Sequence, residues 1–292
     1  MIYRIKHITE YKYASTVSHC YNHAQLIPRN TSRQICLNHS IEVKPMPAHT
    51  AERTDYFGNT SYHFEIQRPH QKLIITASSE VDTKSQHINI EMDFGISCFD
   101  VKQQLNNAVD AKTILAQEYI MDSPFVKNSS DLAAYAAPLF DDSSPFLTAV
   151  MALTRKIFSE FEYCPHSTTV ATPLAEVLSN KKGVCQDFAH LQIACLRSLG
   201  YPARYVSGYI ENLPAPGVIK LVGSDASHAW IAVYSPLEGW VEFDPTNNCL
   251  ANEQHIATAW GRDYFDVTPL KGVIFGGGED PVLRVSVDVA RL

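Results

Sequence analysis

The sequence lacks what would draw it to a polyanion, a membrane or an oxidising compartment. Its 24 Lys and Arg stand against 31 Asp and Glu, a formal net charge of -7, and no local basic cluster compensates. That balance excludes the electrostatic footprint of a nucleic-acid-binding protein. No run approaches the roughly 18 consecutive apolar residues of a membrane span. The opening MIYRIKHITEYKY sets Arg4, Lys6, Glu10 and Lys12 among its apolar residues, so it cannot be the apolar region of a signal peptide. The seven cysteines, at positions 20, 36, 98, 164, 185, 195 and 249, are odd in number and form no CxxC pair. Free thiols in a reducing compartment fit this better than a disulfide framework, and the expected location is cytoplasmic. GxSxG, a Walker loop and an acidic EF-hand run are all absent, so no cofactor or metal is expected. The His19 and His23 pair lacks the HExxH glutamate, and Cys164 with His166 has no partner pair at ligand spacing.

What is present is a soluble composition, 45% hydrophobic and 19% charged, over 292 residues, a length for about two domains. Residues 1–98 read as β. Tyr3, Ile5, His7, Thr9, Tyr11 and Tyr13 share one parity against charged neighbours, and Ile35 to Val43, Tyr62 to Ile66 and Leu73 to Ile75 repeat the period of two. Strands at this spacing predict an amino-terminal antiparallel β-sandwich. Residues 99–292 read as α+β. Phe146, Ala149, Val150, Leu153, Ile157 and Phe161 form a helical stripe, with Ser144 as expected cap and Pro145 at the first position. Weaker helix candidates lie in AVDAKTILAQEYI and SSDLAAYAAPLF. After Gly200 short strands return, ending in VLRVSVDVA, and this carboxy-terminal block is expected to stay with the second domain.

The chemistry concentrates around GVCQDFAHLQIACLRSLG, residues 183–200. Phe188, Leu191, Cys195 and Leu199 mark a helix buried nearly all round, stopped by Gly200, with Cys185 in its first turn. Unpaired backbone N–H groups and the positive end of the macrodipole at that place favour a thiolate and offer donors to an oxyanion beside the sulfur. Such a nucleophile needs a base and a group that orients it. In SHAWIAVYSPLEGWVEFDPTNN two strands flank a turn; centred on Pro236, it sets His228 directly opposite Asp244 on one sheet face. Trp230 and Trp240 share that face, as packing that excludes water or as a wall of a substrate groove. Asp187, in the first turn of the helix, is a rival for the third place, although a helix-end carboxylate is its simpler role. Gln186 and His190 read as structural.

The run Gly183-Val184-Cys185-Gln186-Asp187-Phe188-Ala189, then LGYPARYVSGY, SHAW and FDPTN in that order, resembles the transglutaminase-like superfamily of papain-related cysteine enzymes, and residues 3–80 resemble the amino-terminal domain of its bacterial members. The resemblance implies a papain-related core and a Cys185, His228, Asp244 triad working through a thioester, with a peptide or protein as substrate. The backbone N–H of Cys185 is then one expected oxyanion donor and the Tyr163 hydroxyl a candidate for the second. Three functions stay open: a peptidase or amidase, which is the preferred reading; a protein-glutamine transglutaminase; and a non-catalytic peptide-binding scaffold on the same fold. No nucleic-acid or membrane partner is expected.

Overall fold

A computed structural model describes residues 1–83, 92–165, 167–211 and 227–292. Five strands open the chain: β1 (Ile2–Ala24), β2 (Gln34–Lys44), β3 (His49–Thr54), β4 (Thr60–Ile66) and β5 (His70–Thr83). They form one antiparallel sheet in the order β2-β5-β1-β4-β3. β1 is long enough to serve twice. Its first half pairs with β5 from Ile2 to Lys12, a register shift follows between Lys12 and Val17, and its second half pairs with β4 from Cys20 to Ala24. Val43, Leu73 and Ile75 from one half share a core with Phe64 and Ile66 from the other. The period of two in β1 is borne out, because Tyr3, Ile5, His7 and Thr9 are all buried.

Helices follow: α1 (Cys98–Asn106), α2 (Ala111–Gln117), α3 (Ser130–Ala136), α4 (Phe146–Glu160), α5 (Leu174–Asn180) and α6 (Cys185–Ser198). Asp110 and Ser129 cap α2 and α3 through side-chain oxygens that accept N–H bonds from Thr113 and Asp131. At α4 the expected cap is displaced by one residue. Pro145 is itself the N-cap, without a side-chain cap, and the Ser144 carbonyl instead accepts the Cys98 N–H at 2.9 Å. Two short strands, β6 (Glu162–Tyr163) and β7 (Lys182–Gly183), pair in parallel just before α6.

The second sheet is antiparallel, in the order β11-β10-β9-β8-β12, from β8 (Ala203–Ile210), β9 (Ser227–Ser235), β10 (Gly239–Asp244), β11 (Cys249–Leu250) and β12 (His255–Gly261). Ala229, Ile231 and Val233 of β9 join Phe188, Leu191 and Cys195 of α6 in the main core, while Trp230 and Ala232 pack on the other face with Val206 and Ala257. β9 is therefore buried on both faces. Gly200, at φ +85°, ends the α6 segment as expected, and the Tyr201 N–H bonds back to the Leu196 carbonyl at 2.9 Å.

After the short helix α7 (Tyr264–Val267), strands β13 (Leu270–Gly276) and β14 (Val282–Arg291) correct the expected domain assignment. Both pair with β1, β14 along Tyr3 to Lys12 and β13 along Val17 to Ala24, so the carboxy-terminal strands complete the amino-terminal sheet. The alternation of Leu283, Val285, Val287 and Val289 identifies a strand but carries no information about which sheet accepts it. Val287 and Val289 are fully buried against Tyr3, Ile5, Tyr209 and Ile256, a cluster that joins the two sheets. Side chains from β2 and from the β3–β4 turn also cover the free edge of β12. Gln34 exchanges two 2.8 Å bonds with the Ala257 backbone, and Asn59 exchanges two of 2.9 Å with Trp260. Unpaired strand groups are thereby satisfied. Among the described residues, no helix is long and apolar enough to cross a membrane.

Candidate active site

Cys185 is the first residue of α6, and the approach to it is built by Gly183 and Asp187. The Asp187 carboxylate accepts the Val184 N–H at 2.8 Å and the Thr168 hydroxyl at 2.6 Å, capping the helix from its third position. A Cβ on Gly183 would stand 2.8 Å from the Asp187 Cβ, so only glycine admits this cap. Burial raises the Asp187 pKa, and its two hydrogen bonds oppose that rise. Asp187 is thus committed to the helix end. His190 is committed too: its Nε2 accepts the Tyr264 N–H at 3.1 Å, and burial lowers its pKa to about 4.

The β9–β10 hairpin pairs Gly239 with Ser235 and Phe243 with Ile231. This register is two residues away from the one expected from a turn centred on Pro236. It places Asp244 one step diagonal to His228 rather than directly opposite. Because side chains alternate with period two, a shift of two preserves the face, and the pair still meets: His228 Nε2 donates to Asp244 Oδ2 at 2.7 Å. With Nε2 so engaged, Nδ1 is the ring nitrogen left for Cys185, whose side chain helps to raise the His228 pKa. Burial works against the imidazolium, but the hydrogen bonds and charges of Asp244 and Cys185 outweigh it and raise the His228 pKa to about 10. Asp244 is fully buried; desolvation disfavours its charge, yet donors from His228 and His255 hold it well below the usual carboxylate range.

The FDPTN segment wraps this carboxylate. Asp244 Oδ1 accepts the backbone N–H groups of Thr246 at 2.8 Å and Asn247 at 3.2 Å, a side-chain turn typical of Asp. Asn247 Nδ2 donates to Oδ2 at 2.6 Å, and His255 Nε2 to the same oxygen at 3.0 Å. Asn247 closes the FDPTN motif without a role of its own in the sequence reading, and His255 was not marked by any sequence pattern. His255 begins β12, at the opposite sheet edge from β11, and only the path of residues 251–254 brings it over. His228, Asp244 and His255 are also a group of metal-ligand type, with ligand atoms within 4.8 Å of one another. Those atoms already satisfy one another by hydrogen bonding.

Tyr163 pairs with Gly183 in the β6–β7 ribbon, two residues before Cys185. It is half exposed, and burial together with the Cys185 charge raises its hydroxyl pKa, so it remains an O–H donor at neutral pH. The two tryptophans separate. Trp230 is fully buried, stacks on His228 with centroids 5.9 Å apart, and donates its N–H to Glu242 at 2.8 Å. It supports the histidine from behind and offers no surface to a groove. Arg33, in the bend just before β2, pairs with the same Glu242. Trp240 lies toward the hairpin tip, against Tyr119, Tyr234 and the Arg204 guanidinium. These residues border a cavity of about 660 Å³ lined by α2, the β3–β4 turn and the β9–β10 hairpin. Cys195 is buried, with its pKa pushed up to about 12 by desolvation. Cys164 is partly exposed, while its neighbour His166 lies outside the described residues.

A helix-end cysteine facing a histidine and a carboxylate on a sheet hairpin, joined to an antiparallel amino-terminal domain, defines a class. The chain belongs to the transglutaminase-like superfamily: residues 133–245 match its family model, and residues 3–82 match the bacterial transglutaminase-like N-terminal region. It is 38% identical over 293 residues to an uncharacterized protein of Mycobacterium tuberculosis, covering 98% of this chain and 92% of that one. It is 30% identical over 138 residues to a protein-glutamine gamma-glutamyltransferase of Pseudomonas aeruginosa, covering 43% of this chain and 21% of that one. The fold is also that of a Cytophaga hutchinsonii protein provisionally assigned as a cysteine protease, at a TM-score of 0.75 and 23% identity over 99% of this chain and 90% of that one.

Proposed function

We propose that the protein is a cysteine-dependent amide-bond hydrolase, a peptidase or amidase acting on a peptide or protein through a thioester. The observation that carries this reading is the 2.7 Å hydrogen bond of His228 to the buried Asp244, together with Cys185 at the start of α6 and its influence on the same imidazole. In the resting site the shared proton sits on His228. The Cys185 sulfur attacks the amide carbon, and the carbonyl electron pair moves to oxygen. The Cys185 backbone N–H, which has no intrahelical acceptor at this position, stabilises that oxygen, with the Tyr163 hydroxyl as second donor. Collapse breaks the C–N bond, and His228 gives its proton to the departing amine. Water then attacks the thioester while His228 takes its proton; the acid leaves, and the thiolate with its imidazolium is restored. Asp244 fixes the tautomer and supports the imidazolium throughout.

Hydrolysis is favoured over transfer to an amine because transfer requires a built acceptor site that competes with water at about 55 M. The carboxylates nearest the motifs in sequence are engaged elsewhere. Glu242 binds Arg33 and Trp230, and Glu238 binds the Ser235 hydroxyl at the hairpin tip. The test compares peptide cleavage and ammonia release with incorporation of a fluorescent primary amine into a glutamine-containing protein, using Cys185→Ala as the control. Cys185-dependent cleavage or deamidation exceeding incorporation is expected. Incorporation outrunning both would make the protein a transglutaminase, and an inert Cys185 would favour a peptide-binding scaffold.

A further inference from the structure

We infer that His255 is a fourth, positioning member of the site, which holds Asp244 in the orientation that serves His228; the inference rests on the triad reading given above. Asp244 Oδ2 is the shared acceptor. His228 Nε2 lies 2.7 Å from it on one side and His255 Nε2 3.0 Å on the other, with the two imidazole centroids 6.1 Å apart. Both rings are buried, so water cannot take the place of either donor.

The far side of His255 is held as well. Its Nδ1 lies 3.2 Å from the backbone N–H of Asn252 and 3.2 Å from Asn252 Oδ1. In the neutral ring Nδ1 accepts from the Asn252 N–H; in the charged ring it donates to Oδ1. Nε2 therefore donates to Asp244 in either state, so the carboxylate keeps this partner whatever proton His255 carries. Trp230 closes the arrangement, stacked on His228 and edge-on to His255 at 5.2 Å. Gly208 beneath makes room: a Cβ there would stand 2.6 Å from the Trp230 ring and 2.1 Å from the Ile256 carbonyl oxygen.

A buried carboxylate that takes its orientation from several donors loses it when one is removed, and outer partners of this kind typically contribute about 10-fold to 100-fold in activity. The experiment measures the rate of Cys185 alkylation by iodoacetamide in the full chain, for wild type, His255→Phe, His255→Gln, Asp244→Asn and the double variant Asp244→Asn with His255→Phe. The phenylalanine variant is expected to slow alkylation about tenfold. Glutamine, which can present an N–H donor near the Nε2 position, is expected to restore it to within about threefold of wild type. Since His255 acts through Asp244, the double variant should match Asp244→Asn alone. On a cleaved substrate, kcat should fall with KM nearly unchanged. His255→Phe within twofold of wild type, glutamine no better than phenylalanine, or losses that multiply in the double variant would each overturn the assignment. If wild-type Cys185 is inert, the hydrolase reading fails, and the ring ¹⁵N resonances of His228 decide His255 separately: unchanged resonances in His255→Phe would refute it, and altered ones restored by His255→Gln would uphold it.

Discussion

Asp244→Asn perturbs the charge of the site while leaving its shape intact. The His228 pKa is raised from an ordinary 6.5 to about 10. At 1.36 kcal/mol per pH unit this corresponds to about 5 kcal/mol of stabilisation of the imidazolium, shared between Asp244 and Cys185. Burial remains when the carboxylate charge is removed, and it then drives the ring toward its neutral form. The asparagine can also turn its amide toward Nε2 and select the wrong tautomer. If roughly half to all of the stabilisation is lost, turnover falls about 10²-fold to 10⁴-fold, the upper end matching the loss from the equivalent change in a serine triad. The assay is kcat/KM on the best peptide or amide substrate, with Cys185 alkylation in parallel and a thermal melt to establish folding. A folded Asp244→Asn protein within threefold of wild type in both assays would refute the reasoning. The same result with an inactive Asp187→Asn would move the third role to Asp187.

Three further outcomes follow from the same contacts. Asp187→Asn should lower stability by about 1 kcal/mol through the weakened α6 cap and leave most activity, as read by a urea titration beside a turnover assay. His228 carries a raised folded-state pKa, so its stabilising contribution is fully present below about 6.5 and is lost as pH rises toward about 10. Urea midpoints at pH 6.5 and 10 should accordingly fall more in wild type than in His228→Ala, and equal falls would contradict the ion pair. Truncation after Val267 removes β13 and β14, exposing a full edge of β1 and the Tyr3 and Ile5 cluster. The truncated chain should be insoluble or protease-sensitive, and a stable monomer would contradict the shared sheet.

The helix-end cysteine and the hairpin histidine and aspartate were legible in the sequence because local rules determine them. Gly200 stops a helix wherever it falls, and an even separation between His228 and Asp244 gives one face in any register that differs by two. The exact pairing was not legible, since it depends on whether the turn centres on Pro236 or one residue later, which periodicity does not reveal. Long-range placement was less legible still. Nothing local in VLRVSVDVA says that Val287 packs beside Tyr3, and nothing in NEQHIATAW says that four residues carry the chain across the strand ends to set His255 on Asp244. Trp240 shares a face with Asp244, yet the length of the hairpin places it against Arg204 and Tyr119, contacts that alternation alone does not reveal.

The most direct measurement of the central claim is brief iodoacetamide treatment of the folded wild-type and His228→Ala proteins near neutral pH, followed by mass spectrometry of all seven cysteines. Cys185 should be modified first and alone in wild type and more slowly in His228→Ala, while Cys195 and Cys249, whose pKa values burial pushes up to about 12 and about 11, stay unmodified. Comparable labelling of several cysteines with Cys185 unreactive, or a Cys185 rate indifferent to His228, would contradict it.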